Sequence, residues 1–183
     1  MFVKNIQNPI LRELAGWAVA VAIALFVFYI VDSFVMKSAR VYGSSMEPTY
    51  SHADRVLVNL MAYTFREPAI GDIIAFPYPG NPAQRFIKRV AGTQGDIIDI
   101  RGGFIYRNGV QMDCPHFVGQ GMVHPGNVEF PVRVQINHVF VLGDNLAISE
   151  DSRFTEVGNI HRNDIIGRVH FRWFPLGGFG RVD

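Results

Sequence analysis

The 183-residue chain has one cysteine, Cys114, so it can form no internal disulfide, and cysteine usage is silent on its compartment. It also lacks an excess of charge. Lys and Arg number 17 against 16 Asp and Glu, a formal net charge of +1, and the chain as a whole has no basic field suited to nucleic acid. Its histidines, His52, His116, His124, His138, His161 and His170, include no pair at metalloprotease spacing, so no metal site is expected. There is no internal repeat, no low-complexity segment and no second long apolar run. Beyond about residue 40, no helical pattern of 10–15 residues alternates with strands, which argues against a layered α/β fold.

What the chain does have is one long apolar stretch. Leu14 to Val31 carries no charge, Asp32 interrupts it, and Phe34, Val35 and Met36 resume it. About 20 apolar residues span a ~30 Å hydrocarbon core, so the run predicts one transmembrane helix over roughly 13–35. A buried core helix would rarely be apolar on every face for this length. A cleaved signal peptide would have a shorter run with small residues at its exit. Trp17 and Tyr29 stand near opposite ends, as interfacial aromatics do. Lys4 and Arg12 flank one side and Lys37 and Arg40 the other, which blunts the charge signal for orientation.

The rest reads as short strands punctuated by Gly and Pro. Candidate strands are 55–59, 73–76, 85–90, 97–100, 139–142 and 165–173. Asn108-Gly109, set between Phe104–Arg107 and Val110–Met112, marks a two-residue hairpin turn, because both positions tolerate positive φ. Residues 113–136 hold Pro115, Gly119, Gly121, Pro125, Gly126 and Pro131 and predict an excursion with little helix, a short inserted lobe. The fold class is therefore mainly β: a folded antiparallel sheet or small barrel on a single N-terminal membrane helix. The expected division is an anchor over 1–36 and a β-rich domain over 37–183.

Two stretches can carry chemistry together. Val41-Tyr42-Gly43-Ser44-Ser45-Met46-Glu47-Pro48-Thr49 offers two hydroxyls in a turn. Phe86-Ile87-Lys88-Arg89-Val90 places a lysine in an apolar strand. A serine is activated by an adjacent base, and burial makes a lysine easier to deprotonate. Arg89 beside it would push the same way if near enough. These residues point to a Ser/Lys pair without deciding between Ser44 and Ser45.

The chain resembles the bacterial type I signal peptidases, membrane-bound serine proteases. The resemblance rests on Gly43–Thr49, on Gly71-Asp72-Ile73-Ile74, on Ile87–Gly92 with Gly95-Asp96, and on Gly143-Asp144-Asn145 with Ser149, Asp151, Ser152 and Arg153. These blocks stand in the family's order from about residue 40 to 173. The resemblance implies Ser45 as nucleophile, Lys88 as general base and Ser149 as the residue that orients the lysine. It implies that Asp151 and Arg153 form a charged pair engaging Arg89, and that Asp144 is scaffolding. It further implies cleavage after small residues, no cofactor, signal peptides of exported preproteins as partners at the lipid surface, and the translocation machinery nearby. It sets the topology as single-pass in the bacterial plasma membrane, with the N-terminus cytoplasmic and the catalytic domain outside.

Some features depart from that pattern. Gly43 stands where some members have a hydroxyl that helps bind the oxyanion, leaving the hole to the backbone N–H of Ser45 and Ser44. Leu146-Ala147-Ile148 replaces residues that are usually polar, at an expected cleft edge or bilayer contact. Val41, Tyr42, Ile74, Phe86 and Ile87 are candidate walls of the substrate pocket, and Met46, Pro48 and the aromatic tail are expected to face lipid. Three other functions compete: a Ser/Lys peptidase dedicated to a pilin or other single export, a self-cleaving repressor, and an inactive tethered β scaffold. The repressor would need a DNA-binding domain in place of the membrane span. The scaffold would predict loss of Ser45 or Lys88.

Overall fold

The computed structural model describes residues 9–121 and 123–182. Lys4, most of the polar lead and Asp183 lie outside the described residues. Helix α1 runs Pro9–Ile30 and passes through one π-helical turn, Val31–Val35, that contains Asp32. It reaches further toward the N-terminus than predicted, to include Pro9. The 27 residues from Pro9 to Val35 extend about 40 Å at 1.5 Å each, more than enough to span a bilayer. None of α1 is buried against the protein, so the core-helix alternative is excluded.

The chain turns extended at Met36 and enters β1 (Met36–Arg40) directly. The main sheet continues with β2 (Arg55–Asn59), β3 (Ile73–Tyr78) and β4 (Asn81–Thr93). A second sheet is built from β5 (Ile97–Arg101), β6 (Phe104–Arg107), β7 (Val110–Gln111) and β8 (Val132–Arg133). The chain then returns to the main sheet with β9 (His138–Leu142), β10 (Ile160–His161), β11 (Gly167–Phe174) and β12 (Gly180–Arg181). The order is β1-β2-β11-β3-β4-β9-β10 in the main sheet, with β12 on β11, and β7-β6-β5-β8 in the second. Every ladder is antiparallel.

The predicted hairpin forms β6–β7, with Asn108 and Gly109 at φ +53° and +80°. It belongs to the second sheet, which sequence reading alone did not separate from the first. That sheet closes over the main one through Ile98, Ile105, Phe117 and Val134 packed on Ala91, Phe140, Leu142 and Leu146.

Strand β3 is apolar at consecutive positions because both of its faces are covered. Ile73 and Ala75 pack with Val56, Val58 and Val169, while Ile74 and Phe76 pack with Val90, Val139 and Val141. Two of the open strand edges bear on the loop between β1 and β2. β1 pairs with β2 alone, and the ladder of β9 on β4 begins at Arg89, so β4 before that residue is held by β3 only.

Candidate active site

The 41–54 loop joins β1 to β2. Its neck is closed by hydrogen bonds from Val41 N to Asp54 O (2.8 Å) and Ala53 N to Val41 O (2.9 Å). Val41, Met46 and Tyr50 are buried in the core, and Tyr50 N donates to Met46 O at 2.8 Å. Met46 therefore anchors the loop and does not face lipid; the exposed apolar residues of this domain include Phe174, Leu176 and Phe179. Gly43 lies at φ +82°, a conformation that a side chain at this position would strain, and its N–H is occupied by His52 Nδ1 at 3.1 Å. Ser45 is thereby presented from a loop fixed on both sides. Its carbonyl accepts from Asn145 N at 3.0 Å, which ties it to the 143–153 segment.

Lys88 lies on β4, directly opposite Ile74 of β3, and only 3% of it is exposed. Its Nζ is 2.6 Å from Ser45 Oγ and 5.1 Å from the Phe86 ring centroid. Burial lowers its pKa from 10.5 to about 8, against the attraction of the Asp151 and Glu150 carboxylates. The cation that adds to the lowering is Arg153. Arg89 does not serve that purpose, because strand alternation turns adjacent side chains to opposite faces.

Arg89 engages Asp144 instead of the Asp151–Arg153 pair. Its Nε and Nη2 donate to the two Asp144 carboxylate oxygens, each at 2.8 Å, and Thr49 Oγ1 donates to the same carboxylate. Asp144 thus joins the Ser45 loop to the Lys88 strand. The second buried pair is separate. Arg153 forks onto Asp151 at 2.7 and 2.9 Å and spends its other N–H groups on the carbonyls of Leu146, Ser149 and His124. Asp151 in turn accepts from Gly143 N at 3.0 Å. These charges are fully hydrogen-bonded, as burial demands.

Ser149 is buried beside this network, and its Oγ has no hydrogen-bond partner among the described residues, Lys88 included. It packs against Gly143, where an added Cβ would lie 2.2 Å from Ser149 Oγ and 2.5 Å from Ser45 O. Only glycine fits there.

Of the candidate pocket residues, Val41, Tyr42, Phe86 and Ile87 line a cleft of about 310 Å³ that holds Ser44, Ser45 and Lys88. Ile74 does not line it and is wholly buried behind Lys88. A groove of about 740 Å³ adjoins the cleft between β1 and β4, floored by Ala39, Val58 and Ala75. The unusual Leu146-Ala147-Ile148 stretch divides its roles: Leu146 fills the core between the sheets, and Ile148 stands exposed at the cleft rim. Sequence reading missed Thr49, the groove alanines, Tyr78 and Glu150. Thr49 ended a motif already singled out, and the others carried no local signal.

Signal peptidase IB of Staphylococcus aureus is 28% identical over 183 residues, covering 92% of this chain and 93% of that protein. The probable signal peptidase I-1 of Synechocystis is 32% identical over 168 residues, covering 87% and 82%. The crystal structure of a signal peptidase I from Enterococcus faecalis is 29% identical, with a TM-score of 0.45 over 56% of this chain and 97% of that one. Residues 14–174 match the family described as signal peptidase, peptidase S26, and the chain belongs to that family.

Proposed function

We propose that the chain is a membrane-anchored serine endopeptidase that removes N-terminal signal peptides from exported preproteins, with Ser45 as nucleophile and Lys88 as general base. One observation carries the assignment: the buried Lys88 amine lies 2.6 Å from the Ser45 hydroxyl. In its neutral form the amine takes the Ser45 proton as Oγ attacks the scissile carbonyl. The Ser45 and Ser44 N–H groups, which take part in none of the loop's hydrogen bonds among the described residues, receive the oxyanion. Lys88, now an ammonium, passes its proton to the leaving amine. A water activated by the same lysine then releases the acyl group from Ser45. Ser149, buried against Gly143 beside the Ser45 segment, is the positioning residue of this reading, and the Arg89–Asp144 and Asp151–Arg153 pairs hold the three segments together.

The substrate lies extended along the open edges of β1 and β4, using their unpaired backbone groups, with small side chains directed into the cleft. The anchor over 1–36 holds the 37–183 domain on the outer face of the bacterial plasma membrane, with the N-terminus cytoplasmic and the translocation machinery nearby. Ile148 at the rim favours, as a second reading, a peptidase dedicated to one class of export. Incubation with a generic secretory preprotein and with a pilin precursor separates the two.

The test is cleavage of a preprotein in detergent by wild type, Ser45→Ala, Ser44→Ala and Lys88→Arg up to about pH 10. Wild type and Ser44→Ala should cut. Ser45→Ala should be inactive, and so should Lys88→Arg, because a guanidinium keeps its proton throughout this range. Near-wild-type cleavage by Lys88→Arg would remove Lys88 as the base.

A further inference from the structure

The cleft and the adjoining groove share Arg40, Tyr42, Gly43, Arg85, Phe86 and Ile87, so they form one continuous channel. One end of it reaches Lys37 and Ser38, the second and third residues beyond the membrane helix and its π turn. The other end holds Ser45, Lys88, Ile148 and Glu150. On the proposed reading, a signal peptide has its apolar segment in the bilayer beside α1. Its chain therefore enters at the Lys37 end, and the residues after the scissile bond leave at the Glu150 end.

The exposed charges follow the same axis. Lys37 lines the entry, Arg40 and Arg85 line the stretch that groove and cleft share, and Glu150 stands at the exit. Glu150 is solvent-exposed and joins no ion pair among the described residues, yet its position is held. Its Oε1 accepts from Tyr78 OH at 2.8 Å. The Tyr78 ring stacks on Phe86, with centroids 4.5 Å apart and 12° between planes, and Phe86 meets the buried Phe76 edge-on. A carboxylate is thus fixed on an aromatic support at the cleft mouth, with its second oxygen left for another donor. That hydrogen bond also pushes the Tyr78 phenol above its ordinary value, as an anionic acceptor does.

We propose that Glu150, held by Tyr78, is a specificity-determining residue that favours a cationic side chain, and disfavours an acidic one, at the first two positions after the scissile bond. It rests on the peptidase reading above. The partner chemistry is a lysine or arginine in the early mature segment of the substrate. The competing role is tuning of Lys88, whose pKa the Glu150 carboxylate also raises. Tuning of the base acts on every substrate alike, whereas selection acts through the substrate's own charge.

The test uses the full chain in neutral detergent and peptides that differ only in Lys, Gln or Glu at the first or second residue after the cut. For wild type, kcat/KM should fall in the order Lys, Gln, Glu by about two- to fivefold per step, the range for an exposed charge pair. The spread should narrow at about 0.5 M salt. Glu150→Gln should flatten the Lys-to-Glu ratio, Glu150→Lys should invert it, and Tyr78→Phe should reduce it by releasing the carboxylate. The ratio is read, so a change in absolute rate does not decide the outcome. Equal cleavage of all peptides by wild type, or a ratio that survives both Glu150 substitutions, overturns this proposal and leaves the peptidase intact. A common shift of the pH profile with an unchanged ratio overturns it in favour of base tuning. Cleavage of none by wild type overturns the peptidase reading, and this proposal with it.

Discussion

Replacing Lys88 with methionine should make the protein more stable while abolishing its activity. The side chain keeps a similar length and apolar stem and loses its amine. In the unfolded chain the lysine titrates near its ordinary 10.5, and in the folded chain near about 8. The ammonium is therefore disfavoured in the native state. At pH 7 that shift costs about 3 kcal/mol of folding stability, at ~1.36 kcal/mol per pH unit. The sign follows from proton counting: between about 8 and 10.5 the unfolded state binds more protons than the native one, so stability rises with pH across this window. By pH 9.5 the remaining cost is only about 1 kcal/mol. Methionine also forfeits the hydrogen bond to Ser45, worth roughly 1 kcal/mol. The expected net gain is thus about 2 kcal/mol at pH 7, fading to near zero at pH 9.5. Denaturant unfolding in detergent, followed by tryptophan fluorescence at both pH values, measures it. A variant no more stable than wild type at pH 7, or a gain that does not shrink with pH, would refute the claim that the Lys88 ammonium is destabilised by burial.

Asp144→Asn should cost about 3–5 kcal/mol, because it leaves the buried Arg89 charge uncompensated. Cleavage should fall with it as the Ser45 loop loses Thr49's anchor, and denaturant midpoints with parallel activity assays check both. Gly143→Ala should lower activity strongly even where folding survives, since its Cβ would press on Ser149 Oγ and the Ser45 carbonyl. Wild-type activity in that variant would show that the Ser45 segment is less tightly seated. Alkaline carbonate should leave the full-length protein in the membrane pellet, and its release would count against α1 as a bilayer anchor.

Several features were legible locally because each is set by interactions close in sequence. The long apolar run required a helix in lipid, where backbone groups must pair within the segment. The Asn108-Gly109 turn required a hairpin, since few other residues accept two successive positive φ angles. The runs at 73–76 and 139–142 marked strands covered on both faces. β1 went unforeseen because Met36-Lys37-Ser38-Ala39-Arg40 has no β signature of its own; pairing with β2 makes it a strand. The second sheet was hidden for a similar reason, since its contacts join residues far apart in the chain.

The residue types able to make a nucleophile and a base, their order and the membrane anchor were determined by the sequence itself. Local chemistry is enough to specify them. Only the tertiary structure decided how they meet. Strand alternation sent Lys88 and Arg89 to opposite faces, so that one amine reached Ser45 while the guanidinium went to Asp144. It removed Ile74 from the pocket, seated Leu146 in the core and left Ile148 and Glu150 on the rim. It also set the proton affinity of Lys88, because desolvation depends on everything packed around a group and on nothing that its neighbours in sequence can reveal.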